Sequence, residues 1–294
     1  MALRGFREDA IVGITTVFGN VDLPQANHNV DFLLQALDRA DIPVASGANR
    51  PIISKVSDER WPGHGPDGLG GVSGTVDVAH AAATVNDAVT MLIEKAREHR
   101  GELIVIALGS LTNVALAMLM DPSLVSSLKL LVVMGATSRG MGNLTPHAEF
   151  NIGCDPEAAE IVLQHCTADT LYIVPFETAI SSSLKWTEFN EMFNGTDSNT
   201  KSLVRDMWQV AAKRASSFAP CDAYAVATLL DPALITSART VHGQIHLSQD
   251  QWRGFSEWED VASGIANQST SSASLVSAVD REIFKRLLES LVAQ

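Results

Sequence analysis

Short β-branched runs alternate with longer amphipathic stretches along the first two thirds of the chain. This alternation is typical of βαβ units, in which the strands form a parallel sheet and the helices cover it. The apolar pattern predicts strands at residues 10–17, 43–46, 103–108, 128–134 and 170–174, and helices at 30–40, 76–99, 111–120 and 156–164. We therefore predict an α/β fold with a single open, mostly parallel, Rossmann-like sheet flanked by helices.

The last third of the chain has a different pattern. Helical periodicity at residues 185–194, 199–216 and 222–230 predicts a helical insertion, followed by a β-rich stretch near 240–252 and a C-terminal helix over 279–292. The Ser-, Ala- and Thr-rich segment 262–278 predicts a loop. With 46% hydrophobic residues and no linker-like stretch, the 294 residues are expected to form one domain, 1–294.

Charge and cysteine content exclude several classes of partner. The formal net charge of −13 repels phosphate backbones, so we expect no nucleic-acid partner. The longest apolar runs are far shorter than the roughly 20 residues of a membrane span, so we expect no membrane association. Charges within the N-terminal apolar stretch and only three cysteines, Cys154, Cys166 and Cys221, indicate a cytoplasmic location.

Candidate binding residues follow the predicted strands, because ligands of open α/β sheets bind at the carboxyl ends of the strands. These positions are Gly19-Asn20, Gly109-Ser110, Gly135 to Asn151 and Phe176-Glu177. The glycine-rich segment 63–71 carries His64 and Asp67 but lacks the lysine of a phosphate-binding loop. It is either a loop that lines or covers a pocket or an ordinary surface turn.

Segment 142–152 places Asn143, His147, Glu149 and Asn151 close together. Glu149 and Asn151 are two residues apart, so in an extended segment they point to the same side. A carboxylate together with amides can bind the vicinal hydroxyls of a sugar, since the carboxylate accepts hydrogen bonds and the amides both donate and accept them. The alternative is a polar loop that caps the next helix through Asp155.

Asp222 stands at the head of an apolar helix. It is either a ligand or catalytic acid, or an ordinary helix N-cap, which is the commoner use of aspartate there. The adjacent Cys221 is of a type that usually behaves as a small buried hydrophobe.

Taken together and in order, several segments resemble the nucleoside hydrolases, also called inosine-uridine preferring nucleoside ribohydrolases. They are Ile14-Thr-Thr-Val-Phe-Gly-Asn-Val, His64-Gly-Pro-Asp-Gly-Leu-Gly, Gly109-Ser-Leu-Thr-Asn-Val-Ala-Leu-Ala, Val133-Met-Gly-Ala, Gly142-Asn through Glu149-Phe-Asn-Ile, Asp155-Pro-Glu-Ala-Ala and Cys221-Asp with Ala225-Val-Ala. The resemblance runs from about residue 1 to about residue 235 and is looser beyond.

The resemblance implies an enzyme that hydrolyses the N-glycosidic bond of ribonucleosides, in purine and pyrimidine salvage and ribonucleoside catabolism. It implies a calcium ion that holds the attacking water and the ribose hydroxyls, and a homodimer or homotetramer. An oxocarbenium-like transition state needs carboxylates beside the ribose, and calcium takes about 6–8 oxygen ligands. The implied residues are Asp222 and the Leu108 carbonyl for calcium, Asn143, Glu149 and Asn151 for ribose, Asn20 beside the calcium and ribose, His64 beside the base, and Cys221 as the catalytic residue near the leaving base.

One family motif has no counterpart in this sequence. The family begins with a strand ending in an aspartate cluster, D-x-D-x-G-x-D-D, which supplies further calcium ligands and the general base. We therefore expect the nucleoside hydrolase-like domain to be N-terminally incomplete by about 20 residues and its general base to be absent. Three hypotheses follow: an active hydrolase in a longer form, a catalytically impaired nucleoside- or ribose-binding pseudoenzyme, or an unrelated α/β hydrolase or sugar-binding protein.

Overall fold

The computed structural model describes residues 5–7, 10–53, 60–75, 88–194, 199–261 and 271–292. Its strands are β1 (Ile14–Thr15), β2 (Val44–Ala45), β3 (Leu103–Ala107), β4 (Leu128–Met134), β5 (Leu171–Val174), β6 (Ile235–Ile245), β7 (Ser256–Asp260) and β8 (Ala273–Val279). Its α-helices are α1 (Leu23–Ala36), α2 (Ala88–Glu98), α3 (Thr112–Met120), α4 (Leu124–Ser127), α5 (Phe150–Cys154), α6 (Pro156–His165), α7 (Phe176–Ser181), α8 (Trp186–Phe193), α9 (Asn199–Trp208), α10 (Cys221–Leu230) and α11 (Arg281–Val292). Within these ranges no helix is long and apolar enough to cross a membrane.

The strands β3 to β8 form a six-stranded sheet in the order β3-β4-β5-β8-β6-β7. The first four of these run parallel to one another, and β6 and β7 run antiparallel to their neighbours. Parallel neighbours need crossover connections, which are usually helices. The prediction of an α/β fold with a mostly parallel sheet flanked by helices is confirmed.

The first two strands lie in a sheet of their own, with Ile14 of β1 opposite Val44 of β2. The sequence pattern predicted a single sheet, whereas the described residues form two. The side chain of Asn113 in α3 links them: its Nδ2 donates to the Thr16 carbonyl oxygen (2.8 Å) and its Oδ1 accepts from the Ala48 N–H (2.9 Å). Because α3 directly follows β3, this link brings the end of β1 close to the end of β3.

Helix α1 begins earlier than the periodicity predicted, at Leu23 instead of residue 30. Pro24 in its first turn explains the start, because proline is preorganised for that position. The helix ends before Asp38, whose φ of 54° is left-handed and cannot continue a helix. Of the helix predicted over 76–99, residues 76–87 lie outside the described residues, and α2 covers most of the remainder.

The segment predicted as a loop over 262–278 contains a central strand. Strand β8 lies between β5 and β6, and its Ala273, Leu275 and Val276 are fully buried. The loop prediction is wrong for these residues, because pairing with β5 and β6 decides their conformation in spite of the loop-like Ser and Ala composition. Residues 262–270 lie outside the described residues.

Each face of the six-stranded sheet packs against helices. Alternate residues of β4 serve the two faces, as expected for a strand. Leu131 and Val133 pack with α3 and α6, whereas Val132 and Met134 pack with α10 and α11. The central strands are therefore held on both sides, which fixes the positions of their carboxyl ends.

Replacing Leu275 with alanine tests whether β8 is a core strand. Leu275 is fully buried, so its truncation is expected to lower the free energy of unfolding by about 2–5 kcal/mol. The Ser277→Ala variant is the matched control in the same strand, and a change within about 0.5 kcal/mol is expected. Denaturant titration measures both. Equal, small effects of the two substitutions would show that residues 273–279 do not form a packed strand.

Candidate active site

The carboxyl ends of β3 and β4 are joined by one side chain. Asn151 Nδ2 donates to the Met134 carbonyl oxygen (3.0 Å), at the end of β4, and to the Leu108 carbonyl oxygen (3.4 Å), directly after β3. This is the edge of the sheet at which ligands of open α/β folds bind. Asn151 thus connects the two strand ends from which the candidate site is built.

Glu149 is buried at this edge, with only 1% of its surface exposed. Its carboxyl oxygens accept hydrogen bonds from the backbone N–H groups of Asn151 (2.9 Å), Ile152 (3.1 Å) and Ala136 (3.0 Å). Burial raises the pKa of Glu149 to about 7; the three hydrogen bonds work against this rise and the nearby Asp222 adds to it. Glu149 is therefore poised to change its charge near neutral pH.

The geometry assumed for Glu149 and Asn151 from their spacing is wrong. They do not lie in an extended segment: Glu149 is the N-cap of α5 and Asn151 lies in its first turn. The two residues meet because the helix turn brings the Asn151 N–H to the Glu149 carboxylate. Asp155 caps α6 by accepting from the Ala158 N–H (3.2 Å), as the alternative interpretation expected. The segment therefore caps two helices and also presents polar groups to the strand ends.

Asp222 lies in the first turn of α10, whose N-cap is Pro220. Its carboxylate accepts no hydrogen bond from the described residues, so the interpretation as an ordinary N-cap is wrong. The side chain is exposed to solvent, yet desolvation by the surrounding protein raises its pKa to about 6. Asp222 is therefore reachable by solvent although nearby protein atoms disfavour its charged form.

Cys221 precedes Asp222 and is half-buried. Its sulfur lies 3.5 Å from the Ala219 carbonyl oxygen, to which the thiol donates. Desolvation, together with the charges of Asp222 and Glu149, raises the pKa of the Cys221 thiol far above its usual range. The thiol is therefore protonated at neutral pH and is a poor nucleophile.

Three more of the predicted site residues are exposed. Leu108 is 37% exposed, and Asn20 and Asn143 are exposed as well. Asn143 Oδ1 accepts from the Phe150 N–H (2.7 Å), while the amide NH₂ group has no partner among the described residues. The ring of His147 stacks on the ring of Trp252, with 4.0 Å between the two ring centroids.

The glycine-rich loop is organised around the buried carboxylate of Asp67. This carboxylate accepts hydrogen bonds from the backbone N–H groups of Leu69, Gly71, Ser73 and Gly74 and from the Ser73 hydroxyl. Burial opposes ionisation of Asp67, but these hydrogen bonds outweigh it and lower its pKa. Gly71 and Gly74 have φ of 92° and 76°, a backbone conformation that glycine adopts without strain.

Polar side chains near two helices hold the same loop. Asn29 of α1 donates to the Asp67 carbonyl oxygen (2.7 Å), and Gln209, just after α9, donates to the Gly70 carbonyl oxygen (3.4 Å). The Gly70 N–H donates to the His64 carbonyl oxygen (2.8 Å), which ties His64 to this frame. Burial lowers the pKa of His64, so its ring is neutral at pH 7.

Replacing Asp67 with asparagine tests this organisation. One carboxylate oxygen becomes an NH₂ group that faces backbone donors, so the free energy of unfolding is expected to fall by about 1–3 kcal/mol. Amide hydrogen exchange at residues 69–74 is expected to accelerate more than exchange in the core. The exposed Asp169→Asn variant is the control and should change neither quantity. Unchanged exchange at residues 69–74 in Asp67→Asn would contradict the role of Asp67.

The structure brings some predicted residues together and leaves others on separate loops. Hydrogen bonds or charge interactions connect Leu108, Glu149, Asn151, Cys221 and Asp222. No hydrogen bond within the described ranges joins these five to Asn20, His64 or Asn143. The five connected residues offer two acidic groups, an amide, a thiol and a backbone carbonyl group at this edge of the sheet, a set suited to a polar, hydroxyl-rich ligand.

Comparison with known proteins shows to which family this chain belongs. The sequence model of the family described as inosine-uridine preferring nucleoside hydrolase matches residues 1–286. The chain belongs to this family. The resemblance deduced from the ordered motifs is thereby confirmed, and the hypothesis of an unrelated α/β protein is wrong.

Plant and bacterial nucleoside hydrolases are among its relatives. Uridine nucleosidase 1 of Arabidopsis thaliana is 31% identical over 268 residues, covering 84% of this chain and 77% of that protein. Probable uridine nucleosidase 2 of Oryza sativa subsp. japonica is 41% identical over 152 residues, 52% of this chain. The latter match spans about half of the rice protein, 45% of its length.

Solved nucleoside hydrolase structures share the fold along nearly the whole chain. The Inosine-Guanosine Nucleoside Hydrolase (IG-NH) superposes with a TM-score of 0.81 at 27% identity, covering 96% of this chain and 90% of that one. The plant nucleoside hydrolase PpNRh1 superposes with a TM-score of 0.84 at 25% identity, covering 97% and 91%. The α/β architecture described above is therefore the nucleoside hydrolase fold.

Nucleoside hydrolases are generally metal-dependent, which makes the oxygen donors of this site important. Asp222 and Leu108 are both exposed residues, and the Leu108 carbonyl oxygen accepts a long hydrogen bond (3.4 Å) from Asn151. Among the described residues no group of three or more acidic, histidine or cysteine side chains could hold an ion. Two donors fall short of the roughly 6–8 oxygens of calcium, so these residues alone do not fit a complete calcium site.

Sequence reasoning missed two features of this candidate site. Ala136 has a left-handed φ of 69°, which aims its N–H at Glu149. Glu177, noted only as a position that follows a strand, accepts hydrogen bonds from the loop after β4. An acidic residue in the first turn of a helix directly after a strand is the signal that could have identified Glu177. No sequence signal distinguishes Ala136, because left-handed alanine is rare.

Proposed function

We propose that this chain hydrolyses the N-glycosidic bond of ribonucleosides to give ribose and free base. Two acidic residues near each other, Glu149 and Asp222, both have a raised pKa, and this observation supports the proposal best. Beside them, the Asn151 amide donates to the carbonyl oxygen of Leu108 after the end of β3. No basic side chain pairs with either carboxyl group among the described residues. An uncompensated pair of acids of this kind favours a ligand that develops positive charge.

The ribose is proposed to bind through Asn143, Glu149 and Asn151. Glu149 uses three of its about four acceptor positions for backbone N–H groups, which leaves one for a ribose hydroxyl. The NH₂ group of Asn143 has no described partner and can donate to a second hydroxyl. Asn20, at the end of the segment that follows β1, is proposed as a further contact.

The carboxylates of Asp222 and Glu149 are proposed to stabilise the transition state. Cleavage of a glycosidic bond concentrates positive charge on the sugar ring, and nearby carboxylates oppose that charge. The C1′–N bond breaks, the oxygen of water bonds to C1′, one water proton remains on the new hydroxyl and the other ends on the base nitrogen. Both acids are ionised above about pH 7, given pKa values of about 7 and about 6.

His64 and Cys221 are proposed to lie beside the base. His64 is carried by the loop built on Asp67 and is neutral, so it can donate and accept a hydrogen bond. Cys221 stays protonated beside Asp222, so its S–H can face the leaving base as a weak donor.

Calcium is proposed as the ion of this site on the family resemblance. Asp222 and Leu108 are the residues of this chain proposed to face it. Because the described donors are too few, ribose hydroxyls and water are needed to complete the coordination. Calorimetric titration with calcium is expected to show tighter binding when ribose is present, and equal affinity with and without ribose would contradict shared coordination.

Nucleoside binding without turnover is the second candidate. It is favoured by the absence, among the described residues, of a third acidic group close to Asp222. In that case the carboxyl and amide groups still recognise ribose, but no base deprotonates water. The two functions differ in one outcome, the release of free base.

The assembly and cellular context are proposed from the same resemblance. We propose a homodimer or homotetramer that acts in the cytoplasm on ribonucleosides, in purine and pyrimidine salvage and ribonucleoside catabolism. The relatives include proteins named uridine nucleosidases and an Inosine-Guanosine Nucleoside Hydrolase. Uridine and inosine are therefore the first substrates to assay.

The test compares uridine and inosine with 2′-deoxyuridine, by calorimetry for binding and by reducing-sugar assay for turnover. Hydrolysis with recognition of the ribose hydroxyls is expected to lower kcat/KM for the deoxynucleoside at least about 100-fold, because buried polar groups lose their partner. Binding without sugar release would establish the second candidate. Absence of both binding and release for either ribonucleoside would overturn the proposed site.

A further inference from the structure

Glu177 is a buried acidic residue in the first turn of α7, directly after β5. Its carboxyl group accepts hydrogen bonds from three backbone N–H groups of the loop that follows β4. The donors are Ser138 (2.7 Å), Arg139 (2.9 Å) and Met141 (3.1 Å). One side chain therefore satisfies three of the four backbone N–H groups of residues 138–141, which lead to Asn143.

The loop over residues 138–141 is too exposed to be held in position by burial of its side chains. The side chains of Arg139 and Met141 are exposed, and Met141 retains 59% of its accessible surface. Gly140 has a φ of 78° and contributes no side chain. Loops of this kind are held by hydrogen bonds to the backbone, or else they move. Glu177 supplies those hydrogen bonds from a helix that is packed against the central sheet.

Glu149 anchors the preceding part of the same segment. The Ala136 N–H donates to Glu149, and the Ala136 carbonyl oxygen accepts from the N–H of Phe176, the residue before Glu177. The Thr137 carbonyl oxygen accepts from Trp258 Nε1 (2.6 Å). Segment 136–141 is thus fastened at successive residues between two buried carboxyl groups, one of which belongs to the site.

We propose that Glu177 is a positioning residue for ribose binding: by holding residues 138–141 it sets the place of Asn143 and of the Ala136 N–H that orients Glu149. This inference rests on the proposed function, because Asn143 and Glu149 are its proposed ribose contacts. Glu177 does not touch the substrate. Its effect reaches the site through the backbone from Met141 to Asn143 and through Ala136.

The Glu177→Gln variant tests the proposal, because glutamine keeps the volume but turns one acceptor oxygen into a donor group. KM for uridine is expected to rise about ten-fold and kcat to fall by a smaller factor, because Asn143 and Glu149 bind ribose and Glu149 also stabilises the transition state. A merely structural role would lower the active fraction, which reduces the apparent kcat and leaves KM unchanged. KM unchanged in Glu177→Gln would overturn the proposal.

Amide hydrogen exchange gives a second readout that does not depend on activity. Exchange at residues 138, 139 and 141 is expected to accelerate at least about ten-fold in Glu177→Gln, and exchange at residue 136 should accelerate too. The control is Glu188→Gln, an acidic residue in the first turn of α8 that pairs with Arg281 and should alter neither exchange nor KM. If the unmodified protein releases no ribose but exchange responds as expected, the proposed function fails and the positioning role stands. Unchanged exchange would overturn the positioning role itself.

Discussion

Replacing Asp222 with asparagine is expected to lower kcat/KM for uridine at least about 100-fold, because it removes the accessible carboxylate that faces the developing positive charge. Asparagine keeps the shape of the side chain and removes only the charge. The surrounding protein already raises the pKa of Asp222 to about 6, so the neutral side chain suits its surroundings. The free energy of unfolding is therefore expected to stay the same or to increase at pH 8.

If Asp222→Asn loses activity but keeps its free energy of unfolding, Asp222 acts in the site and is not needed for the fold. The exposed Asp169→Asn variant removes one carboxylate far from the site and serves as the control for net charge. It should retain the kcat/KM of the unmodified protein. Full activity in Asp222→Asn would remove Asp222 from the site, and a large loss of stability in that variant would make it a structural residue.

Replacing Glu149 with glutamine is expected to change the pH dependence of stability. An unfolded glutamate has a pKa near its usual 4.5, whereas the folded group titrates at about 7. Between these values the folded state holds a proton that the unfolded state has released, so stability falls as pH rises from about 4.5 to about 7. A difference of about 2.5 pKa units corresponds to roughly 3 kcal/mol.

The glutamine variant lacks this titration, so the two proteins should differ in slope. In buffer with a chelator, the free energy of unfolding of the unmodified protein is expected to fall relative to Glu149→Gln by roughly 3 kcal/mol between pH 4.5 and pH 7.5. Urea titrations at a series of pH values measure this difference. Two curves that stay parallel over this pH range would show that Glu149 is not held in a desolvating environment.

The strands of the sheet were largely predictable from the sequence because their apolar runs are continuous. Residues 128–134 were predicted as a central strand and form β4 with those bounds. Strand β8 was missed because its Ser and Ala residues resemble a loop, and only its neighbours β5 and β6 make it a strand. The sequence of one segment does not show which neighbouring strands will pair with it, and that pairing decides whether it forms a strand.

The structure brings together several residues that the sequence singled out for the candidate site, but their geometry was not predictable. The ordered motifs identified Glu149, Asn151 and Asp222, whereas the helix turn that joins the first two was not apparent from their spacing. Of the two interpretations of Asp222, the N-cap is wrong because Pro220 takes the N-cap position. The role of Glu177 depends on a loop more than 30 residues away in sequence, which no local pattern reveals.

The most direct test of the central claim is the stoichiometry of products formed from uridine by the purified chain in phosphate-free buffer. Chromatography measures free uracil, and a reducing-sugar assay measures ribose in the same sample. Hydrolysis predicts equal molar amounts of uracil and ribose, formed in proportion to the amount of protein and suppressed in Asp222→Asn. Uridine that is bound by the protein and recovered intact would contradict the proposal that this chain is a hydrolase.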